Sequence, residues 1–318
     1  MSGLQRRQLG RSGIEVTVVG VGCNNFGRVG ARQTAETVQA ALDNGVNLFD
    51  TADIYGEGLS EEYLGRALGG RRADVVIATK VGMSMGSPER RGGSRRWITT
   101  AIEDSLRRLG TDYIDLYQHH EPDPETPLEE TLETFDELVR SGKVRAIGSS
   151  NYSGAQIEDA DLLSGQRGWA RYDTAQNHYS LLERRQVEED VTPACQRLDV
   201  GILPFFPLAS GLLTGKYHRG EAPPEGSRLA RNQQRGNELM TDANFDIVEA
   251  MERFGRERGV GLLEVAVAGL AARPMVASVI AGATSPEQAA ANARAGLWTP
   301  SVEDAAEIDR ITAGALAR

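Results

Sequence analysis

Three successive apolar runs of the sequence end in residues able to handle a proton. Asp50 closes Val46–Asp50, Lys80 closes Val75–Lys80, and the pair His119 and His120 closes the run that starts at Tyr113. Tyr55 follows Asp50 by five residues. A lysine at the end of Val75-Val76-Ile77-Ala78-Thr79 needs a counter-charge if buried, and Asp50 lies one strand away. Such a pair serves structure as readily as chemistry. Tyr55 moves the balance. A free phenol, with a pKa of about 10, is a weak acid at neutral pH, but an adjacent ammonium stabilises the phenolate and lowers that value. The tyrosine then becomes a proton donor to a developing alkoxide. The carboxylate holds the ammonium, and a histidine of the fourth run donates to the same oxygen. That constellation suits reduction of a carbonyl group.

Something must bring these positions together. The apolar or β-branched runs are eight: Val16–Gly22, Val46–Asp50, Val75–Lys80, Tyr113–His119, Val144–Gly148, Tyr172–Gln176, Val200–Phe205 and Val276–Ile280. Between them the apolar period becomes helical, as in Ile98, Ile102, Leu106, Leu109 and in Leu128, Leu132, Phe135, Val139. Gly110, Gly142 and Gly168 follow helical stretches, where a residue able to take positive φ is wanted. Short strands buried on both faces, each followed by an amphipathic helix, imply parallel strands with right-handed crossovers. Eight such units without a composition break predict one (β/α)₈ TIM barrel domain over residues 1–318. Leu4–Leu9 and Ile14–Val18 around Gly10–Gly13 predict a β-hairpin before it. The long gap after the seventh strand divides into a Gly-, Pro- and Arg-rich surface loop, Gly211–Asn237, and a helix, Asn244–Ala272; a further helix closes the chain. In such a barrel the chemistry sits just after the strands, where Asp50, Tyr55, Lys80 and the histidines fall.

Composition removes other classes. With 35 basic and 45 acidic residues the net charge is −10, which argues against nucleic acid or an anionic membrane as the partner. Cys23 and Cys195, with no CxxC spacing and no clustered histidines, read as free thiols of a reducing compartment, with no metal site. The first thirteen residues are charged without an apolar segment, so no secretory signal is expected and the chain reads as cytoplasmic. Leu262–Ala272 is too short to span a bilayer. GVGCNNFG (Gly20–Gly27) resembles a dinucleotide-binding G-x-G-x-x-G but has Asn25 in place of the third glycine.

The segments DTADIYG (Asp50–Gly56), IATKVG (Ile77–Gly82), DLYQHHEPD (Asp115–Asp123), GSSNYS (Gly148–Ser153), AQNHYSLL (Ala175–Leu182), PLASGLLTGKY (Pro207–Tyr217) and IAGATSPEQ (Ile280–Gln288) are, in this order, similar to the aldo-keto reductase superfamily. The resemblance implies a barrel that binds NADP(H) in extended form, with Tyr55 as general acid/base, Asp50 and Lys80 tuning it, and His120 orienting the substrate carbonyl. The family pattern sets the histidine five residues after the strand's aspartate, here Asp115, which selects His120. Alternation along a strand turns His119 the other way, toward the helix layer or rim.

For the cofactor the resemblance implies Ser150, Asn151 and Gln176 at the nicotinamide carboxamide, with Gly22, Cys23 and Asn24 at the end of the first strand nearby. Phe205 stands where relatives have a stacking tyrosine and keeps the π-face. Leu208, Ser210, Leu212, Thr214 and Lys216 would cradle the pyrophosphate. Gly282, Thr284 and Ser285, with Gln288 and Asn292 one and two turns on, would take the 2′-phosphate at a helix N-terminus. Many relatives carry arginine or lysine near Ser285 or Gln288 and this chain does not, so NAD(H) is the alternative cofactor. Phe26, Tyr55 and Trp97, with Asn25, Met83 and Met85, are expected to line the pocket for a small carbonyl or alcohol substrate, although Trp97 reads equally as rim packing. Arg219, Arg228, Arg231 and Arg235 read equally as a closing loop or as solvated charge. Two competing functions carry over: a regulatory or redox-sensing barrel with little turnover, as some family members are beside channels, and a Schiff-base aldolase using Lys80 as nucleophile. The oligomeric state is not legible.

Overall fold

The computed structural model describes residues 3–316, so the ends of the expected 1–318 span lie outside it. Ten strands are present among the described residues. β1 (Arg6–Gln8) and β2 (Glu15–Thr17) pair antiparallel as the predicted hairpin. The barrel strands are β3 (Val19–Gly22), β4 (Leu48–Asp50), β5 (Val76–Val81), β6 (Ile114–His119), β7 (Val144–Ser150), β8 (Tyr172–Gln176), β9 (Gly201–Ile202) and β10 (Val279–Gly282). All neighbours are parallel, in the order β10-β3-β4-β5-β6-β7-β8-β9. The sheet closes on itself: Ile202 N–H donates to Met275 O (2.7 Å), Ala277 N–H to Ile202 O (3.0 Å) and Ile280 N–H to Pro204 O (3.0 Å). This is the predicted (β/α)₈ barrel. The seventh strand is shorter than its apolar run because Pro204 has no N–H to continue the ladder.

Alternation sorts the strand residues into two cores. Leu48, Val76, Ala78, Leu116, Ala146, Leu203 and Ile280 fill the interior, and Leu9, Ile14 and Val16 of the hairpin join them, plugging one end. The other parity, including Phe49, Ile77, Tyr117 and Ile147, packs outward in the layer shared with the helices. The hairpin turn fits so closely that a Cβ on Gly10 would lie 2.0 Å from Asp173 O, and only glycine makes that approach at φ 55° without clash.

The helices begin and end as their caps dictate. Ser94 accepts the Trp97 N–H at the start of Arg95–Leu109, and Gly110 leaves it at φ 65°. Ser153 and Gln156 form a capping box on Gly154–Arg167, which Gly168 ends at φ 68°. The region after β9 departs from expectation. The expected loop holds a short helix at Arg228–Arg231, and a second, Gln233–Leu239, begins in it and runs past its end; Ser227 and Asn232 cap them. The helix expected over Asn244–Ala272 is two, Asp242–Glu257 and Leu262–Ala271, broken where Gly259 takes φ 70°. Val302–Ile311 is the closing helix. Among the described residues no helix is long and apolar enough to cross a membrane, and no group of three His, Cys, Asp or Glu residues is placed to hold a metal.

Candidate active site

Inward parity carries the polar ends of β4, β5 and β6 to one point. After Leu48 comes Asp50; after Val76 and Ala78 comes Lys80; after Leu116 come Gln118 and His120. Lys80 Nζ donates to Asp50 Oδ2 (2.7 Å) and to the carbonyl of Thr51 (2.8 Å), and lies 3.5 Å from the Tyr55 hydroxyl. Lys80 is fully buried and Asp50 is 3% exposed. The second carboxylate oxygen, Asp50 Oδ1, accepts from Gln176 Nε2 (2.9 Å) and Gln118 Nε2 (3.2 Å). His120 meets Tyr55 edge to face, ring centroids 5.9 Å apart, and its Nδ1 is buried without a partner among the described residues. The structure thus brings together Asp50, Tyr55, Lys80 and His120.

Burial decides the protonation states. It opposes the charge on Lys80, but Asp50 and then Tyr55 outweigh it and hold the ammonium above its ordinary value. For Tyr55 the sequence predicts a lowered phenol, and here the sign is reversed. Burial pushes the phenol up, the Lys80 ammonium draws it back, and Asp50 pushes it up again. Tyr55 therefore keeps its proton at neutral pH. Burial, then Lys80 and His119, hold His120 far below the usual imidazole range, so it is neutral.

His119 takes the outward side, as alternation predicts. Its Nδ1 meets the Tyr152 hydroxyl at 2.7 Å, and its ring packs edge-on against Phe135 and Tyr152. Phe26 and Trp97 are likewise in the apolar layer between strands and helices, 0% and 4% exposed. Cys23 and Cys195 are buried free thiols that burial pushes upward.

The residues expected at a nucleotide lie on the loops above β3 and β7 to β10. Gly22 ends β3, and Cys23 N–H donates to Asp50 O (2.8 Å). Asn24 and Asn25 approach Gly282 across the β3–β10 seam. Asn151, at φ 61°, donates through Nδ2 to His120 O (2.9 Å) and to Ser150 Oγ (3.2 Å). Phe205 lies parallel to His178, centroids 5.6 Å apart, with Phe206 on its edge. The segment after it is unusual: Leu208 (φ −99°, ψ 17°) is followed by Ala209, Ser210 and Gly211 at φ 46°, 58° and 97°. Within this segment the Ala209 N–H donates to Phe206 O (3.0 Å) and the Gly211 N–H to Leu208 O (2.8 Å), so both are already bound. The Lys216 ammonium lies over the segment, 3.0 Å from where a Cβ on Gly211 would stand. Leu212 is buried beneath, and Thr214 Oγ1 donates to Gly211 O.

At β10, Ser285 caps the helix Pro286–Ala295. The N–H and hydroxyl of Thr284 both donate to Gln288 Oε1 (2.8 and 2.9 Å), and Asn292 Nδ2 donates to Gly282 O (3.2 Å). These donors therefore close on one another. The loop arginines separate: Arg219 pairs with Asp242, Asp246 and Glu249, and Arg235 with Glu238, while Arg228 lies 4.6 Å over the Phe206 ring.

Sequence reasoning passed over Gln118, whose even spacing from Leu116 and His120 was the available signal. It also passed over Asp53, whose surroundings come from two helices.

The chain matches the family model described as aldo/keto reductase over residues 18–313. It is 36% identical over 309 residues to the aldo-keto reductase YhdN of Bacillus subtilis (94% of this chain, 91% of that one). It is 34% identical over 323 residues to the L-glyceraldehyde 3-phosphate reductase of Escherichia coli K12 (96% and 92%). A relative named probable voltage-gated potassium channel subunit beta, from Oryza sativa subsp. japonica, is 35% identical over 314 residues (96% of each chain). Family members generally use NAD(P)H on carbonyl compounds. With the match spanning nearly the whole chain, this protein is an oxidoreductase that belongs to the aldo/keto reductase family.

Proposed function

We propose that the protein reduces an aldehyde or ketone to the alcohol with NADPH, and runs the reverse oxidation, with Tyr55 as the proton donor. The observation that carries this reading is the buried Lys80 ammonium, 2.7 Å from Asp50 and 3.5 Å from the Tyr55 hydroxyl. As charge develops on a carbonyl oxygen, Tyr55 gives up its proton, and the nearby ammonium stabilises the phenolate that is left. The neutral His120 imidazole donates to the same oxygen and fixes its position. Asp50, gripped by Gln118 and Gln176, keeps the ammonium in place.

The residues fit a nicotinamide dinucleotide, which supplies the hydride when bound. Phe205 offers the stacking face, and the Lys216 ammonium above the left-handed segment Ala209–Gly211 offers a counter-charge for the pyrophosphate. Gln176 and Asn151 have committed their amide nitrogens inward and so present oxygens to the carboxamide. A 2′-phosphate would sit at the Ser285 helix start by displacing the Gln288 side chain from the Thr284 N–H and hydroxyl. If NADPH and NADH gave equal kcat/KM, that last assignment would be wrong. The proton-donor reading is tested with Tyr55→Phe: turnover should fall roughly 10²–10⁴-fold while cofactor affinity, followed by protein fluorescence, stays near the parent's. Undiminished turnover overturns it.

A second reading, a cofactor-binding regulatory barrel with little turnover, is favoured by the names of channel-subunit relatives. A carbonyl panel under excess NADPH separates the two. A Schiff-base aldolase is disfavoured because its nucleophile must be a free amine, and Lys80 is a buried ammonium bound to oxygens.

A further inference from the structure

Asp53 lies in the turn between Asp50 and Tyr55. Its main-chain N–H donates to the carbonyl of Lys80 (3.2 Å), which ties the turn to the strand that carries the ammonium. The residue is 1% exposed, and no side chain hydrogen-bonds to its carboxyl oxygens among the described residues; the one donor beside them is the Ile54 main-chain N–H. The groups that face it are Glu61 from the helix Leu59–Leu68, Arg108 from Arg95–Leu109, Lys80 from β5 and Tyr117 from β6. Glu61 is fully engaged, receiving Arg108 Nε (2.7 Å) and the Thr79 hydroxyl (2.5 Å). The Tyr117 hydroxyl is buried and also without a partner. The only guanidinium of this group is therefore bound by Glu61, and Lys80 by Asp50. A second negative charge here would be buried without compensation. Burial, with Glu61 adding, pushes the Asp53 carboxyl up to about 7 against the Ile54 N–H, Arg108 and Lys80.

We propose that Asp53 is a positioning residue that sets the proton-donating strength of Tyr55 by acting on the Lys80 ammonium from behind. Neutral, it leaves the ammonium's field to Tyr55. Ionised, it offsets part of that field and holds the proton on the phenol. A unit charge about 10 Å away through an effective dielectric of about 20 shifts an equilibrium by roughly tenfold. The inference rests on the reading of Tyr55 as the acid.

The test is kcat/KM for NADPH-dependent reduction of an aromatic aldehyde, from about pH 5 to pH 9, in the parent and in Asp53→Asn and Glu61→Gln. The parent should decline by up to roughly tenfold, through an apparent pKa near the 7 of Asp53, to a lower plateau. Asp53→Asn, a neutral isostere, should lose that decline and exceed the parent at high pH. Glu61→Gln removes the neighbouring charge and should move the decline to lower pH. A parent profile with no inflection near neutrality overturns the inference even if neither variant folds. So does an Asp53→Asn variant that keeps the parent's decline. Turnover by Tyr55→Phe would instead overturn the reading of the acid itself, so the two failures are distinguishable.

Discussion

Two acid–base cells lie back to back across the wall of β4, β5 and β6. Inside the barrel, Asp50 and Lys80 are one carboxylate and one ammonium, and every charged atom has hydrogen-bond partners at 2.7 to 3.2 Å. Outside, Asp53 and Glu61 face a single guanidinium, Arg108, which Glu61 binds, and Asp53 is left without a side-chain partner among the described residues. Seven residues, DTADIYG, supply an acid to each cell and the tyrosine beside the first. A matched buried pair fixes protonation states over a wide pH range. An unmatched one keeps a proton near neutrality and makes its surroundings sensitive to pH. The inner cell is built to hold a charge constant, and the outer one to let a charge change.

The largest expected effect breaks the inner cell. Lys80→Met strands Asp50 as an uncompensated buried charge, so destabilisation of about 3–5 kcal/mol is expected in urea unfolding, with turnover lost as for Tyr55→Phe. An unchanged urea midpoint would mean that the pair contributes nothing to the fold. A smaller effect sharpens the contrast with the outer cell. Asp53 titrates near 7 when folded and near 3.9 when unfolded, so between those values the folded state holds a proton that the unfolded chain has released. Stability contributed by that proton is complete at low pH and is lost as pH rises to about 7, by roughly 4 kcal/mol at most. Asp53→Asn has no such proton to lose. Its melting temperature should therefore gain on the parent's between about pH 4 and pH 8, and a constant offset would show that Asp53 ionises normally.

Much of this arrangement was legible in the amino-acid order. Eight short apolar runs separated by helical periods predict the barrel, and parity along each run separates His120 from His119. The need of a buried Lys80 for a counter-charge finds Asp50. What was not legible depended on depth or on packing between distant segments. The shift of the Tyr55 phenol turns on whether burial or the ammonium dominates, and spacing says nothing about depth. Phe26 follows a strand end and Trp97 begins a helix, but position along the chain does not tell whether a side chain points to a cavity or to the helix layer. Asp53 becomes unusual only when Leu59–Leu68 and Arg95–Leu109 bring Glu61 and Arg108 against it. The helices at Arg228–Arg231 and Gln233–Leu239 are hidden in a stretch whose glycines and prolines read as loop.

The most direct measurement of the central claim is the solvent deuterium effect on single-turnover carbonyl reduction, followed by loss of nicotinamide absorbance in H₂O and in D₂O. Proton transfer from a phenol steadied by a buried ammonium predicts a slower reaction in D₂O for the parent, and loss of both the rate and the solvent effect in Tyr55→Phe. A Tyr55→Phe protein that retains the parent's rate and solvent effect would contradict it.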